Sequence, residues 1–263
     1  MTVEPSTGAA SVRVRRTAAV AAPAGVVERV FGARSAAAGV FHALLASDGV
    51  EHGLLGPREA DRLWSRHLLP GAALSTLVPR ESSVVDVGSG SGLPGLALAL
   101  ARPDLTVTLV EPMARRCEFL TRAVDVTGSS GRVQVVRARA EELAGGTGFD
   151  VVTARALAPL PRLLELLLPA CRPGGQVLAV KGAGLDREVV EAARALERSS
   201  IRRWETVELA PPVWGADRPG DETPDTDTIR VFRLTTRAAR AQTVPTGRVD
   251  RRRPSRSGLR RRG

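Results

Sequence analysis

Beyond residue 82 the chain alternates between two kinds of apolar pattern. Short runs rich in valine and threonine ("SVVDV", "TVTLVE", "RVQVVRA", "FDVVTA", "QVLAVKG") are each followed by a stretch of helical character ("LPGLALALA", "MARRCEFLTRAVDVT", "AEELA", "LPRLLELLLPACRPGG", "LDREVVEAARALERS"). Short β-branched runs mark strands and apolar positions recurring every three or four residues mark helices. Their alternation predicts right-handed βαβ units in a doubly wound, mostly parallel sheet. Two further strand-like runs, "WETVELA" and "TIRVFRLT", have no helix between them and predict a C-terminal antiparallel hairpin at the sheet edge. Upstream, residues 24–47 and 57–78 carry helical periodicity. Pro57 suits a first helical position, Leu63, Trp64, Leu68 and Leu69 form one stripe, and Pro70–Gly71 should break it. The expected organisation is a disordered leader at 1–23, a small helical extension at 24–80, a Rossmann-like α/β domain at 81–236 and a disordered tail at 237–263.

The first strand runs directly into "DVGSGSGLPG", residues 86–95, in which Gly90, Gly92 and Gly95 spell G-x-G-x-x-G. Such a turn serves nicotinamide dinucleotides and S-adenosylmethionine alike. Gly88, Gly90 and Gly92 let the backbone turn sharply and approach a ligand, and Pro94 suits the opening of the next helix. Asp86, two residues before the first glycine, favours the second ligand: an anion there suits a sulfonium and an amino group, whereas a pyrophosphate seeks neutral N–H groups. Glu111, at the end of the second strand, is placed for the ribose hydroxyls of either cofactor. The hairpin ending also fits a methyltransferase sheet better than a six-stranded dinucleotide fold. Together these features point to S-adenosylmethionine. Ala140 and Glu141, after the third strand, fit either an adenine contact or an ordinary helix start with acids in its first turn.

At 263 residues the chain can bury one full α/β core. Its net charge of +10 is unevenly placed: from Thr235 onward there are ten arginines and one acid, Asp250. "VDRRRPSRSGLRRRG" has no apolar periodicity and reads as a flexible polycation able to displace counterions from phosphate. Lys181 is the only lysine among 38 basic residues, which hints at a place where a compact ammonium matters. Cys117 and Cys171 lack metal-type spacing and suggest neither a zinc site nor a disulfide framework. "RVRRTAAVAAPAG" resembles an export signal, but its apolar part is short and broken by Pro23. No apolar run is expected to reach the ~20 residues of a membrane span. A cytoplasmic monomer without metal or membrane attachment is the resulting expectation.

Methyl transfer from a sulfonium is an in-line displacement, so the protein chiefly positions donor and acceptor. After strand four the chain has "TARA" in place of the Asn/Asp-Pro-Pro-aromatic stretch usual for amino-nitrogen methylation, and it contains no tyrosine. An acceptor with an exposed lone pair, such as guanine N7, needs no base; arginines holding phosphate and the purine edge suffice. Arg139, Arg155 and Lys181 fall at the carboxyl ends of strands three, four and five, on the ligand rim. A protein or small-molecule methyltransferase remains open as a rival, as does methylation of another RNA. So does a non-catalytic rRNA-binding assembly factor; a nicotinamide-dependent reductase is disfavoured by Asp86.

"DVGSGSGLPGLALALARPDLTVTLVEP", "CEFL", "RARAEE", "TARALAPL" and "AVKG", preceded by "LWSRHLLPGA", resemble the bacterial 16S ribosomal RNA guanine-N7 methyltransferases, the glucose-inhibited division protein B family, from about Gly32 to Leu234. The resemblance implies methylation at N7 of one guanine in the 530 loop of 16S rRNA. It implies a cofactor site at Gly88, Leu93, Ala140, Glu141 and Arg155, supported by Asp86 and Glu111, and an rRNA side lined by Arg66, His67, Arg139, Arg155 and Lys181. Of these, Arg139, Arg155, Lys181 and His67 are the candidates for catalysis. Pro70–Gly71 departs from the family pattern after "RH", and the N-terminal helices lack its Trp-Asn…Asn-Leu-Thr stretch. The tail lies outside the family core.

Overall fold

A computed structural model describes residues 25–146, 148–198, 200–210 and 228–238. The expected leader and nearly all of the Arg-rich tail lie outside these residues. Seven strands form one sheet in the order β3-β2-β1-β4-β5-β7-β6. They are β1 (Ser83–Val87), β2 (Thr106–Val110), β3 (Val133–Val136), β4 (Phe149–Arg155), β5 (Cys171–Lys181), β6 (Ile201–Leu209) and β7 (Ile229–Thr236). The first five pair in parallel, and β7 runs antiparallel to both β5 and β6. The chain direction of build-up reverses between β1 and β4, which opens a crevice beyond their carboxyl ends.

The late pair forms the expected antiparallel hairpin at the sheet edge, though not in chain order. β7 inserts between β5 and β6, and β6 becomes the edge. Burial explains the choice: Ile229, Val231, Phe232 and Leu234 of β7 are buried, whereas β6 is exposed along most of its length. The more apolar strand takes the position with neighbours on both sides. Hydrogen bonding continues past β7, since Arg237 N donates to Ser200 O at 2.8 Å and Arg237 Nε to Ile201 O at 3.1 Å. Arg237 therefore belongs to the folded sheet.

The helices are α1 (Val26–Phe31), α2 (Ser35–Leu44), α3 (Leu69–Ala73), α4 (Gly95–Ala101), α5 (Ala114–Val126), α6 (Leu160–Leu167), α7 (Leu185–Glu191) and α8 (Ala193–Leu196). The first five cover one face, where Phe31, Phe41, Leu45, Leu63 and Leu68 share a core with Val84, Leu96, Leu109 and Leu120. The others cover the opposite face around Val85, Val152, Leu164 and Phe232. "AEELA" makes only a single tight turn, Ala140–Leu143.

The N-terminal helices thus complete the main core. Val26–Gly49 is 24 residues long with mean hydropathy 1.2, long and apolar enough by those measures to cross a membrane, contrary to the expectation that no run would be. Its Phe31, Ala38, Phe41 and Leu45 are buried in the core shared with the sheet. Arg34 fastens this segment by donating to Thr127 O (2.5 Å), Gly128 O (3.2 Å) and Ser129 Oγ (3.1 Å) at the end of α5, where helix carbonyls lack partners.

Pro70 does not break the second helical stretch. A widened turn over Trp64–Leu68 precedes α3, with Leu69 N donating to Trp64 O, and the chain continues helically through Pro70. A proline has no N–H for the carbonyl four residues back, here that of Arg66. The Arg155 guanidinium stands 3.5 Å from that oxygen. Such widened turns recur at functional sites, and this one carries both Arg66 and His67.

Candidate active site

Two clefts open at the carboxyl end of the sheet. The first, about 430 Å³, is walled by the β1–α4 turn (Gly88, Gly90, Leu93), by Glu111 after β2, and by His67 and Arg155. The second, about 460 Å³, is walled by Arg66, Lys181, Glu188 and Ile229. Arg155 and Ala156 border both. Ala156 has φ of +52°, a conformation that costs a residue with a Cβ about 1–3 kcal/mol and concentrates at functional sites.

Backbone geometry fits the first cleft to a nucleoside-sized ligand. Gly88 has φ of +71°, and a Cβ there would lie 2.8 Å from Leu157 Cδ1 across the mouth. Glu111 is almost fully buried and takes hydrogen bonds from Gly90 N (3.0 Å) and Met113 N (3.1 Å), with Arg116 3.7 Å away. The carboxylate thereby ties the glycine turn to the end of β2, and that end forms part of the cleft wall. Gly92 lies outside that wall, against Phe41 and Leu120.

Asp86 sits one layer behind the cleft. It is fully buried and its Oδ2 accepts from Gly95 N at 3.0 Å. Gly95 must be glycine for this contact, because a Cβ would stand 2.6 Å from Asp86 Oδ2 and 2.6 Å from Leu109 Cδ2. Among the described residues Asp86 Oδ1 has no hydrogen-bond partner, and burial raises the carboxyl pKa to about 7. The sequence placed this anion inside the binding turn. The fold uses it beneath the turn, where it holds the start of α4.

His67 is nearly buried and its Nε2 lies 2.7 Å from Glu59 Oε2. Burial, reinforced by the Arg155 charge, lowers its pKa to about 4. It is neutral near pH 7, and the Glu59 carboxylate, an acceptor, fixes the proton on Nε2. His67 borders the first cleft and Arg66 the second. Burial and the nearby Arg66 guanidinium lower the Arg155 pKa as well.

Lys181 is not a free rim cation. Its side chain is 7% exposed, and Nζ donates to Ala158 O (2.8 Å) and pairs with Glu188 Oε2 (2.6 Å). The same Oε2 accepts from Leu160 N at 2.7 Å. Lys181 and Glu188 together hold the β4–α6 loop that contains Ala156. Sequence reading missed Glu188, which lies within the helical segment "LDREVVEAARALERS" and was given no role there. Arg139 is exposed and borders neither cleft. Glu141 turns onto Arg162 at 3.1 Å, and neither it nor Ala140 lines the first cleft. Both thiols are held protonated by burial, Cys171 with a pKa of about 11. No His/Cys/Asp/Glu group among the described residues could hold a metal.

A seven-stranded sheet with this order and one antiparallel strand, a glycine turn after β1 and an acid closing β2 define an S-adenosylmethionine-dependent methyltransferase. Residues 35–212 match the model of the family described as rRNA small subunit methyltransferase G. The chain belongs to that family. A protein of that name from Salinispora tropica is 54% identical over 175 residues, covering 64% of this chain and 72% of its own. Another, from Frankia casuarinae, is 48% identical over 187 residues, covering 70% and 69%. Among solved structures, a tRNA (m1A58) methyltransferase of Aquifex aeolicus aligns with TM-score 0.47 at 18% identity, over 62% of this chain and 66% of its own.

Proposed function

We propose that this protein transfers a methyl group from S-adenosylmethionine to N7 of one guanine in the 530 loop of 16S rRNA, position 527 in the usual rRNA numbering. It acts as a cytoplasmic monomer on the small ribosomal subunit or an assembly intermediate. The observation that carries the reading is the pair of clefts meeting at Arg155 and Ala156: one bears the glycine turn and the other is lined by Arg66, Lys181 and Glu188.

Bound in the first cleft, S-adenosylmethionine supplies an electrophilic methyl on a positive sulfur. Gly88 and Gly90 would give it room, Glu111 would meet its ribose, and Leu93 would cover an apolar edge. The target guanine must leave its stack to reach the second cleft. N7 carries a lone pair and no proton, so the residues around it need remove nothing. Transfer of that methyl to N7 would leave the positive charge on the purine in place of the sulfur. Arg155, at the junction, would orient the base through O6, and Arg66 would meet phosphate. The contribution expected of the protein is alignment of two reactants in a closed site.

The test uses small subunits, and their deproteinised RNA, from cells lacking the protein. Each is incubated with the protein and S-adenosylmethionine, and N7-methylguanine is mapped by reductive strand cleavage. A single new cleavage in the 530 loop is expected. Cofactor binding without cleavage would move the acceptor elsewhere, and absence of both would refute the reading of the glycine turn.

A further inference from the structure

The second cleft contains a carboxylate that positioning alone does not account for. Glu188 lies on α7, its side chain is 18% exposed, and it lines the second cleft together with Lys181 and Arg66. Its Oε2 is engaged twice, by Lys181 Nζ and by Leu160 N, while Oε1 takes part in no hydrogen bond among the described residues. One oxygen anchors the group and the other is left as an acceptor fixed in direction. An acid is otherwise a poor choice for a surface that must approach a polyanion, since it repels phosphate.

A purine entering with N7 toward the first cleft keeps the opposite edge, N1 and the C2 substituent, in the second cleft, whose wall includes Glu188. In guanine that edge carries two donors, N1–H and the N2 amino group; in adenine N1 is an acceptor. A held carboxylate oxygen accepts from the first and repels the second. Resting on the functional reading above, we propose that Glu188 is the guanine-selecting residue: Lys181 and the Leu160 amide fix Oε2 so that Oε1 receives N1–H and N2–H of the flipped base. Lys181 then serves as the strut of the reader. Glutamine at 188 would keep its oxygen on the two anchoring donors and turn its amino group to the base, presenting a donor where an acceptor is required.

The experiment is a two-by-two comparison of kcat/KM for methyl transfer. Small subunits are reconstituted with 16S rRNA carrying either guanosine or inosine, which lacks the N2 amino group, at the target position. Wild-type protein should prefer guanosine by about tenfold, the scale of leaving a desolvated acceptor short of a partner. E188Q should lose about tenfold on guanosine and retain less than about a threefold preference between the bases, with cofactor affinity by calorimetry unchanged. A merely structural role would lower both substrates equally, and that result overturns the proposal. If E188Q fails to bind cofactor, the wild-type ratio decides alone: equal rates on guanosine and inosine overturn it. Wild-type protein silent on guanosine would instead overturn the functional reading, and this proposal with it.

Discussion

Leu157 stands across the cleft mouth from Gly88, so that a methyl added to the glycine would lie 2.8 Å from Leu157 Cδ1. The φ of +71° at Gly88 adds a second obstacle. Gly88→Ala is expected to weaken S-adenosylmethionine binding by more than about tenfold. Gly88→Ala combined with Leu157→Ala should recover part of that loss, because it removes the overlap and leaves the backbone strain. Calorimetric titration of the three variants distinguishes the contributions; no recovery would assign the whole effect to φ.

The buried carboxyl of Asp86 gives stability a specific pH dependence. Its folded pKa, raised to about 7, lies above the unfolded value of 3.8. Folding therefore favours the protonated form, and stability is lost as pH rises from about 4 to about 7, at up to about 1.4 kcal/mol per pH unit, then levels off. Asp86→Asn removes this dependence. The denaturation midpoint of the variant should gain on wild type across that window and run parallel above it.

His67 acts in the opposite sense over nearly the same range. Its folded pKa of about 4 lies below the unfolded 6.5, so its contribution is complete above 6.5 and lost as pH falls toward 4. His67→Asn should accordingly remove the loss of stability on the acid side and leave the decline due to Asp86 unopposed. Followed by urea denaturation, wild type should show a shallower net slope between pH 4 and 7 than either single variant, because the two groups offset each other.

Arg34 joins the N-terminal helices to three acceptors at the end of α5. Arg34→Ala leaves those acceptors without their donor and should cost about 1–3 kcal/mol, lowering Tm by roughly 2–4 °C per kcal/mol. Thermal unfolding by circular dichroism measures it; a change below 1 °C would show that water replaces the guanidinium.

Truncation after Ala238 removes nine arginines and Asp250 while keeping Arg237, which pairs with the sheet. The shortened protein should bind cofactor as before and bind rRNA with a smaller dependence on salt, since each lost phosphate contact lowers the slope of log K against log salt by about 0.7. Filter binding over a salt series reads this directly, and an unchanged slope would show that the tail does not touch RNA.

All seven strands were legible in the sequence to within a few residues, because β-branched runs bounded by glycine, proline and charged turns have little alternative to a buried sheet. Gly88 and Glu111 both border the first cleft, as their places at strand ends led one to expect. Asp86 was expected inside the turn; it lies in β1, and the packing of α4 through Gly95 draws its side chain inward, which no local pattern shows. Arg139 and Lys181 looked equivalent at the ends of neighbouring strands. One is exposed and away from both clefts, the other is nearly buried in an ion pair, and the difference comes from α7, which brings Glu188 to Lys181 alone.

By itself the sequence determined the alternation of elements, the class of ligand its glycines and acids could serve, and the charge of its tail. Those properties are local, set by side-chain branching, backbone freedom and formal charge within a few residues. The tertiary structure alone decided that β7 enters the sheet and β6 forms its edge. It also decided that Pro70 is absorbed by a widened turn, and that Glu188 meets Lys181 and Leu160. Each of these joins segments that are distant along the chain or balances one buried surface against another, and such choices are made only when the whole core closes.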